Sequence, residues 1–396
     1  MKIRTLHDIP ELKGKKILLR VDFNVPRTEN GEIKDDIRIV EALPTINYLR
    51  EKEAKIIIMT HLGRPKGIEG NLKLDQVSKH LSHLINHPVK KLDEIVGPSV
   101  KTVISNMQNG EIVMLENIRF RNEEEACEEN FTRELAGLGE IFVNDAFGTS
   151  HRKHSSTAGL AKYLPAYGGF LIEKEMHALS PLLTGEPKRP LTMIFGGAKI
   201  DTKIGVIRNF LEKADYFLIG GGIANTFLAA AGYNVGQSLF EKEKMEIARE
   251  IMLECEKNKE KLVLPHDLIV ADEISSNSQT ANVATTDVIG NMKIADIGKW
   301  SAEKFANIIE KSGTVIWNGP LGVTEYTPFQ NGTRYVANTL ANHNCTSILG
   351  GGDTADAIKN LGIPTESFTH ISTGGGAAIE FLEGRSLPGI EILQTG

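Results

Sequence analysis

Six arginines lie close to short apolar runs in the first half of the sequence, and together they could form one anion-binding surface. They are Arg20, Arg38, Arg64, Arg119, Arg121 and Arg152. A guanidinium pairs with phosphate or carboxylate oxygens in a bidentate manner, so several arginines at one sheet edge predict a small ligand with several negative charges. Taken singly, each arginine more often forms a surface ion pair, so this prediction depends on their clustering.

Three further polar side chains lie at strand ends in the same half. In "RVDFNVP", Asp22 and Asn24 occupy alternate positions and should point to the same side, where they could hydrogen-bond a ligand hydroxyl. An Asx-type turn before Pro26 explains the same residues equally well. His61 could act as a base or a cationic phosphate contact, although a lone histidine more often has a structural role.

Four apolar runs in the second half end in glycine, which is typical of phosphate sites at the carboxyl ends of parallel strands. The clusters are Gly196-Gly197, Gly220 to Gly222, Gly350 to Gly352 and Gly374 to Gly376. Any one cluster could be merely a tight strand-to-helix turn, but four in one domain favour a ligand. The sequence contains neither the P-loop motif nor the dinucleotide-binding fingerprint.

Charged residues adjoin these glycines. Asp353 would repel a bare polyphosphate but could coordinate Mg2+, which proteins commonly hold with one or two carboxylates and the phosphates of a substrate. A helix N-cap, with Thr354 beside it, is an equally good explanation. Lys199 and Lys203, four residues apart, can lie on one face of a helix that points toward the phosphate. Paired lysines usually mark a solvated face, but the adjoining Gly-Gly favours phosphate contact for at least one of them.

Apolar runs alternate with helical patterns along the whole chain, which predicts α/β architecture with parallel sheets. We expect two doubly wound, Rossmann-like domains joined by a helix and a hinge, with the boundary near residues 170 to 190. The run "EEEACEE" is predicted to be a solvated helix face.

Composition excludes several classes of function. The net charge of −6 gives no basic excess for nucleic acid, and no segment approaches the length of a membrane span. The three cysteines are far apart and indicate neither disulfides nor a zinc site. We therefore expect a cytoplasmic protein without nucleic-acid or membrane partners. We also expect a monomer, although composition itself does not reveal the oligomeric state.

Ten motifs in one order, over nearly the whole chain, resemble the phosphoglycerate kinase family. They are "RVDFNVP", "DDIRIVEALPTI", "HLGRP", "MLENIRF", "VNDAFGTSHR", "GGAKIDTKIGVI", "LIGGGIANTF", "VIWNGPLGV", "GGGDTADAI" and "STGGGAAIEFLEG". The resemblance implies reversible phosphoryl transfer between ATP and the carboxylate of 3-phosphoglycerate, in glycolysis and gluconeogenesis. It also implies a phosphoglycerate-binding domain over residues 1–170, with 377–396 packing back onto it, and a Mg-nucleotide domain over 171–376.

The resemblance also implies the site residues. Substrate contacts would come from Asp22, Asn24, Arg38, His61, Leu62, Gly63, Arg64, Arg119 and Arg152. Nucleotide contacts would come from Gly196, Gly197, Lys199, Lys203, Gly220, Asn318, Glu325, Gly351, Gly352, Asp353 and Thr354, with Asp353 the ligand of Mg2+. Catalysis would rest on Arg38, Lys203, Gly352 and Gly375, with hinges near residues 170 to 190 and near Ser372-Thr373.

Three positions depart from the family pattern on the adenine side, at Asn225, Ile294 and Thr324. These departures could change the contacts with the base and so the nucleotide preference. None of them removes a charged group of the reaction centre. A dehydrogenase or a noncatalytic nucleotide-binding module is the alternative, but the first lacks its fingerprint and the second would not need Lys203, Asp353 and the arginines together.

Overall fold

The chain forms two units, each built around one parallel sheet. The structure, a computed structural model, describes residues 2–256 and 261–395. The first unit comprises Met1–Ser180 and Ser386–Gly396, and the second comprises Pro181–Arg385. No helix in the described residues is sufficiently long and apolar to cross a bilayer.

The first boundary, between Ser180 and Pro181, lies within the predicted range of residues 170 to 190, and the second follows Arg385 instead of residue 376. The helix Phe170–Thr184 begins within the first unit, since the N–H of Phe170 donates to Thr45 Oγ1 at 2.9 Å. The segment 377–385 lies in the second unit, where Asn209 Nδ2 donates to the carbonyl of Leu382 at 2.7 Å. Only residues 386–396 return to the first unit.

Strands and helices alternate along the chain. The strands are β1 (Lys16–Val21), β2 (Lys55–Met59), β3 (Val89–Lys91), β4 (Ile112–Met114), β5 (Ile141–Asp145), β6 (Ala166–Gly168), β7 (Leu191–Phe195), β8 (Tyr216–Ile219), β9 (Leu262–Val263), β10 (Asp267–Ala271), β11 (Ala281–Ala284), β12 (Lys293–Ile297), β13 (Thr314–Asn318), β14 (Thr346–Gly350) and β15 (His370–Ser372). The α-helices are α1 (Ile37–Glu51), α2 (Asp75–Leu84), α3 (Pro98–Ser105), α4 (Asn122–Glu125), α5 (Glu129–Ala136), α6 (Phe170–Thr184), α7 (Ile204–Phe210), α8 (Gly221–Ala230), α9 (Met245–Cys255), α10 (Lys299–Ile309), α11 (Asn331–Ala341), α12 (Gly352–Asn360), α13 (Gly376–Leu382) and α14 (Pro388–Glu391).

The first unit contains a six-stranded sheet in the order β3-β4-β2-β1-β5-β6, with every neighbouring pair parallel. Leu19 at its centre pairs with Ile58 and Val143, and all three side chains are fully buried. Helices cover both faces of such a sheet, so its strands consist of nearly continuous apolar runs. The predicted fold class is confirmed.

The second unit contains another parallel sheet, in the order β15-β14-β13-β7-β8-β9, with fully buried Trp317 on β13. It also contains an antiparallel sheet, β11-β10-β12, which the sequence analysis does not anticipate. The apolar run "KLVLPHDLIV" divides at Pro265 into β9 and β10. Proline has no N–H to donate to a ladder, so it separates the two strands.

Candidate functional site

Four of the predicted arginines line one cavity of about 300 Å³ in the first unit. Arg64 follows β2, Arg119 follows β4 and Arg152 follows β5, and Arg121 completes the set. Parallel strands present their carboxyl ends at one sheet edge, which brings together residues that are distant in sequence. We call this space the basic cavity.

The basic cavity retains an excess of positive charge. The one carboxylate in its lining belongs to Glu125, whose Oε1 lies 3.0 Å from Arg119 Nε. Arg121 pairs with Glu123 outside the lining, at 2.8 Å. Four guanidinium groups around one carboxylate favour a ligand with several negative charges.

Asp22 and Arg38 form an ion pair at the same sheet edge, with Arg38 Nη1 donating to Asp22 Oδ2 at 3.0 Å. Asp22 directly follows β1, and Arg38 lies in the first turn of α1. The backbone N–H of Asn24 donates to Asp22 Oδ1 at 3.1 Å, so the Asx-type turn is also present. The carboxylate of Asp22 therefore stabilises its own loop through Asn24 and also binds the guanidinium of Arg38.

The charge states of Asp22 and His61 depend on their surroundings. Burial disfavours ionisation of Asp22, but the basic groups of His61, Arg38 and Arg20 outweigh it and hold its pKa below the usual value. Burial lowers the pKa of His61 well below its usual value, against the opposing charge of Asp22. This shift favours a neutral imidazole at pH 7, and the part of His61 in binding the substrate stays a prediction.

The backbone around Gly63 is already hydrogen-bonded inside the protein. Its N–H donates to Asn24 Oδ1 at 2.8 Å, and its carbonyl accepts from Arg119 Nη1 at 2.9 Å. The N–H of Leu62 donates to Asn117 Oδ1 at 3.3 Å. Gly63 is thus bonded to Asn24 and Arg119, and Leu62 to Asn117, while their contact with a ligand stays a prediction.

Asn117 is a buried organiser that the sequence analysis misses. Its Nδ2 donates to the carbonyls of Leu62 at 2.8 Å and Leu72 at 3.0 Å. Its Oδ1 also accepts from the N–H of Arg119 at 3.2 Å, at the start of the short turn that carries this arginine. An asparagine in a loop directly after a buried strand is the available sequence signal.

A second cavity, of about 270 Å³, lies in the second unit at the carboxyl ends of its strands, and we call it the apolar pocket. Its lining consists of Gly197, Ala198, Gly221, Gly222, Ala224, Asn225, Leu239, Leu268, Ile274, Ile294, Ala295, Asp296, Ile297, Pro320, Leu321, Gly322, Val323, Glu325 and Asp353. Mostly apolar walls with a few polar groups are typical of sites for small organic ligands.

The apolar pocket includes three predicted nucleotide contacts, Gly197, Glu325 and Asp353. It also includes the departures Asn225 and Ile294, whereas Thr324 is buried outside the lining. Asp296, which the sequence analysis does not single out, is buried in the wall. Burial raises its pKa to about 8, although its carboxylate accepts hydrogen bonds from the N–H groups of Gly332 and Ile297.

Lys203 and Asn318 meet beside this pocket, where Lys203 Nζ donates to Asn318 Oδ1. Burial lowers the pKa of Lys203, and the negative charge of Asp353 opposes this effect. Asn318 ends β13, and Asp353 lies in the first turn of α12. Three predicted residues from separate elements are thus close enough to influence one another.

The predicted helix face shared by Lys199 and Lys203 is wrong. Helix α7 begins only at Ile204, with Lys203 as its N-cap, so Lys199 lies outside the helix and is exposed. The segment before it is held in a turn, because the N–H of Lys203 donates to the carbonyl of Ile200 at 2.7 Å. Glu241 also accepts the N–H of Ile200, at 2.5 Å.

The loop after β14 has the geometry of an anion site. Gly351 adopts φ +91° as the N-cap of α12, and a Cβ at Gly352 would meet no neighbouring atom. Thr354 Oγ1 accepts from the N–H of Gly319 at 2.7 Å and donates to the carbonyl of Gly350 at 2.8 Å. Its hydroxyl therefore joins two loops, and the helix start remains open to a ligand.

Two other predicted glycines, Gly196 and Gly220, allow close packing, and a third, Gly375, lies in a turn with open space around it. A Cβ at Gly196 would lie 2.1 Å from the carbonyl oxygen of Pro320, and one at Gly220 would lie 2.5 Å from Leu321 Cδ2. Both glycines thus let the walls of the apolar pocket approach each other. Gly375 adopts φ +51° before α13, and a Cβ there would meet nothing.

The carboxylates present fit a cation that arrives with a phosphorylated ligand. Within residues 2–256 and 261–395, no group of three or more His, Cys, Asp or Glu side chains could hold a metal ion. Asp353 lines the apolar pocket and is the single acid in the first turn of α12. Mg2+ is commonly bound by one or two carboxylates together with substrate phosphates, which this arrangement allows.

Comparisons with known proteins agree with this geometry. The family model described as phosphoglycerate kinase matches residues 6–385. Similar curated proteins, each named phosphoglycerate kinase, come from Dictyoglomus turgidum, 50% identical with 100% of both chains covered, and Pelotomaculum thermopropionicum, 48% identical with 99% of both covered. The chain also resembles the solved structure of phosphoglycerate kinase from Coxiella burnetii, with a TM-score of 0.88, 38% identity and 99% of both chains covered. The corresponding structure from Pyrococcus horikoshii gives a TM-score of 0.87 and 34% identity, with 99% of this chain and 98% of that chain covered.

Proposed function

The chain belongs to the phosphoglycerate kinase family, and from that premise we propose how its own residues perform the family's reaction. The enzyme transfers a phosphoryl group reversibly between ATP and the carboxylate of 3-phosphoglycerate, giving 1,3-bisphosphoglycerate and ADP, as a step of glycolysis. The family uses ATP or ADP with Mg2+. The dehydrogenase and binding-module alternatives are thereby removed.

The basic cavity binds the phosphate of 3-phosphoglycerate. The observation that supports this assignment is the excess of guanidinium groups over carboxylate in the lining, with Arg64, Arg119 and Arg152 at separate strand ends. Bidentate guanidinium pairing suits a phosphate dianion better than lysine would. Asp22 and Asn24 then accept and donate hydrogen bonds to the hydroxy-acid part of the substrate.

Arg38 binds the acceptor carboxylate and the migrating phosphoryl group. Its guanidinium is held 3.0 Å from Asp22 and is one-third exposed, which leaves donors free for a ligand. Because the acceptor is a carboxylate with an ordinary pKa near 4, it is ionised at pH 7 and no general base is needed. Neutral His61 contributes a hydrogen bond to the substrate without a second positive charge.

The apolar pocket binds the nucleotide. Its apolar wall suits a flat base, and Glu325 at its edge accepts hydrogen bonds from the ribose hydroxyls. The loop Gly351–Thr354 and Lys203 face the phosphates, and Asp353 holds Mg2+, which neutralises phosphate charge when it is bound. Gly196 and Gly220 support the nucleotide site by letting its walls pack closely, Gly197 lines the pocket, and exposed Lys199 supplies a more distant positive charge.

Phosphoryl transfer then depends on positioning and charge. Lys203 and the N–H groups of Gly352 and Gly375 stabilise the equatorial oxygens of the transferring group. Support comes from the open space around both glycines and from the partly buried ammonium of Lys203, which donates to Asn318. Direct in-line transfer requires no protein nucleophile, and positioning supplies most of the rate enhancement.

The decisive experiment measures ATP consumption by the purified protein with Mg2+ and 3-phosphoglycerate, coupled to reduction of the acyl phosphate. Turnover should require 3-phosphoglycerate and should fall at least a hundredfold in Lys203→Ala and in Arg38→Ala, since removing one charge-stabilising donor typically costs 10²–10³ in rate. Lys199→Ala is the matched control and should lose far less. Turnover that survives Lys203→Ala would mean that the reaction centre is misplaced.

Closure by hinge bending, a monomeric state and a cytoplasmic location stay predictions. Small-angle scattering with and without both ligands tests closure, and sedimentation tests the oligomeric state. Hinge substitutions near residues 170 to 190 and at Ser372-Thr373 should change kcat and KM together.

A further inference from the structure

A buried chain of polar groups lies behind His61 in the first unit, and the mechanism above does not use it. Ser156 Oγ donates to Glu124 Oε1 at 2.6 Å, and the Ser156 N–H donates to Glu124 Oε2 at 3.0 Å. Arg20 Nε donates to Ser156 Oγ at 2.9 Å. All three side chains are buried, so Glu124 departs from the predicted solvated helix face, although Glu125 and Glu129 of the same run are exposed.

Arg20 connects this chain to His61. Its Nη2 lies 3.2 Å from His61 Nδ1, and its Nη1 donates to the carbonyl of Val21. Burial lowers the pKa of Arg20 to about 10, so the guanidinium is still protonated at pH 7. A guanidinium has donors and no acceptor, and Nδ1 must therefore be the accepting nitrogen of the neutral ring. The proton of His61 is left on Nε2.

We propose that Glu124 is a positioning residue for substrate binding: through Ser156 and Arg20 it holds His61 as the Nε2–H tautomer, ready to donate to an oxygen of phosphoglycerate. The inference rests on the proposed function of this cavity edge. Contacts of the His61 ring with Arg20 and Asp22 both involve Nδ1, at 3.2 and 3.8 Å, which leaves the Nε2–H for the ligand.

The position of Glu124 explains why an acid is buried here. Arg20 is fully buried, and an uncompensated buried charge is unfavourable. Burial raises the pKa of Glu124, while the charge of Arg20 and the hydrogen bonds from Ser156 oppose this effect. Charged groups from three other places face His61: Asp22 after β1, Arg38 on α1 and Arg119 after β4. Glu124 is the acid that is joined to Arg20 through Ser156, whose hydroxyl hydrogen-bonds both side chains.

Nitrogen-15 NMR of the imidazole rings in the ligand-free protein tests the tautomer directly. The signals of His61 are assigned by their loss in His61→Gln. Between pH 6 and pH 8 we expect an unprotonated Nδ1 and a protonated Nε2, with no titration of this ring. A protonated Nδ1, or an imidazolium at pH 7, would overturn the proposal even if every variant below failed to fold.

Variants test the part played by Glu124. Glu124→Gln and Ser156→Ala should mix the two tautomers of His61 and raise the KM for 3-phosphoglycerate about tenfold, with the KM for ATP unchanged. Glu129→Gln is the matched control, because this glutamate is exposed on the next helix and pairs only with Arg133 in the ion pairs described. A folded Glu124→Gln protein with the wild-type tautomer and the wild-type KM would refute the role of Glu124.

The two hypotheses fail in different ways. If the wild-type protein does not turn over 3-phosphoglycerate, the proposed function fails whatever the NMR spectrum shows. If turnover is normal but Nδ1 carries the proton, only the positioning role of Glu124 fails.

Discussion

The ammonium group of Lys203 donates a hydrogen bond to the amide oxygen of Asn318 at the end of strand β13. The partner is neutral, so it orients the ammonium without cancelling its charge. A carboxylate at the same position would hold the lysine equally well but would leave less positive charge for the transferring phosphoryl group. Asn318 lies against Gly350 and Gly351, where an added Cβ would approach its Nδ2 to 3.1 and 3.3 Å.

Asn318→Ala should lower kcat roughly tenfold to a hundredfold, because a hydrogen bond to a charged group contributes about 1.5–3 kcal/mol. Burial already lowers the pKa of Lys203, and loss of the acceptor should move the alkaline limb of kcat to lower pH. Asn318→Asp should move that limb to higher pH and still lower kcat. Rates at saturating substrates from pH 6 to pH 10 measure both effects.

Asn338→Ala, on an exposed position of α11, serves as the control for these variants and should leave the profile unchanged. If Asn318→Ala shows the wild-type kcat and the wild-type alkaline limb, Asn318 does not position Lys203.

Arg38→Lys should lower kcat at least tenfold although the positive charge is kept. The planar fork of arginine can pair with Asp22 and a ligand at once, whereas a lysine is a point charge on a flexible stem. Steady-state kinetics with varied 3-phosphoglycerate check this result, with Arg133→Lys on the exposed face of α5 as the control. Near-normal kcat in Arg38→Lys would mean that charge alone suffices.

Glu325→Gln should raise the KM for ATP roughly threefold to tenfold and leave the KM for 3-phosphoglycerate unchanged, since a neutral amide accepts ribose hydroxyls less strongly than a carboxylate. The wild-type preference for ATP over 2′-deoxy-ATP should also shrink. Initial rates with both nucleotides measure it, and exposed Glu310→Gln is the control. An unchanged preference would place Glu325 away from the ribose.

The free energy of unfolding should decrease as pH rises, because the pKa of Asp145 is raised in the folded protein. Burial raises its pKa to about 7, although the carboxylate accepts the N–H groups of Leu171 and Ile172 at the start of α6. The folded state then binds a proton that the unfolded chain, with an ordinary pKa near 4, has lost. The free energy of unfolding therefore decreases by up to about 1.4 kcal/mol per pH unit between these values as pH rises.

Asp145→Asn should remove this decrease and raise the thermal midpoint at pH 8, because the amide oxygen can still accept the helix N–H groups. Asp287→Asn, at an exposed position, is the matched control. Thermal unfolding of the three proteins at pH 5 and pH 8 provides the comparison. A wild-type dependence that persists in Asp145→Asn would assign it to other groups.

Sequence patterns by themselves determined the sheet class and the ingredients of both sites. Nearly continuous apolar runs such as "KILLRV" are what a strand covered on both faces requires, and arginines and glycines at their ends mark the ligand edge. Arg64, Arg119 and Arg152 indeed line one cavity, since their loops all begin at the same edge of one parallel sheet. The local signal was sufficient because these features lie within one strand and its following turn.

Only the tertiary structure decided burial and charge state, because these depend on elements far apart in the chain. Glu124 belongs to an acidic run whose sequence predicts a solvated helix face. In the structure Glu124 accepts a hydrogen bond from Ser156, and Ser156 accepts one from Arg20, which lies more than a hundred residues earlier in the chain. In sequence His61 could be a cationic contact, but burial, together with the positive charge of Arg20, lowers its pKa and keeps it neutral against the opposing charge of Asp22. No local pattern encodes the desolvation of a side chain, which is set by whatever the rest of the chain packs around it.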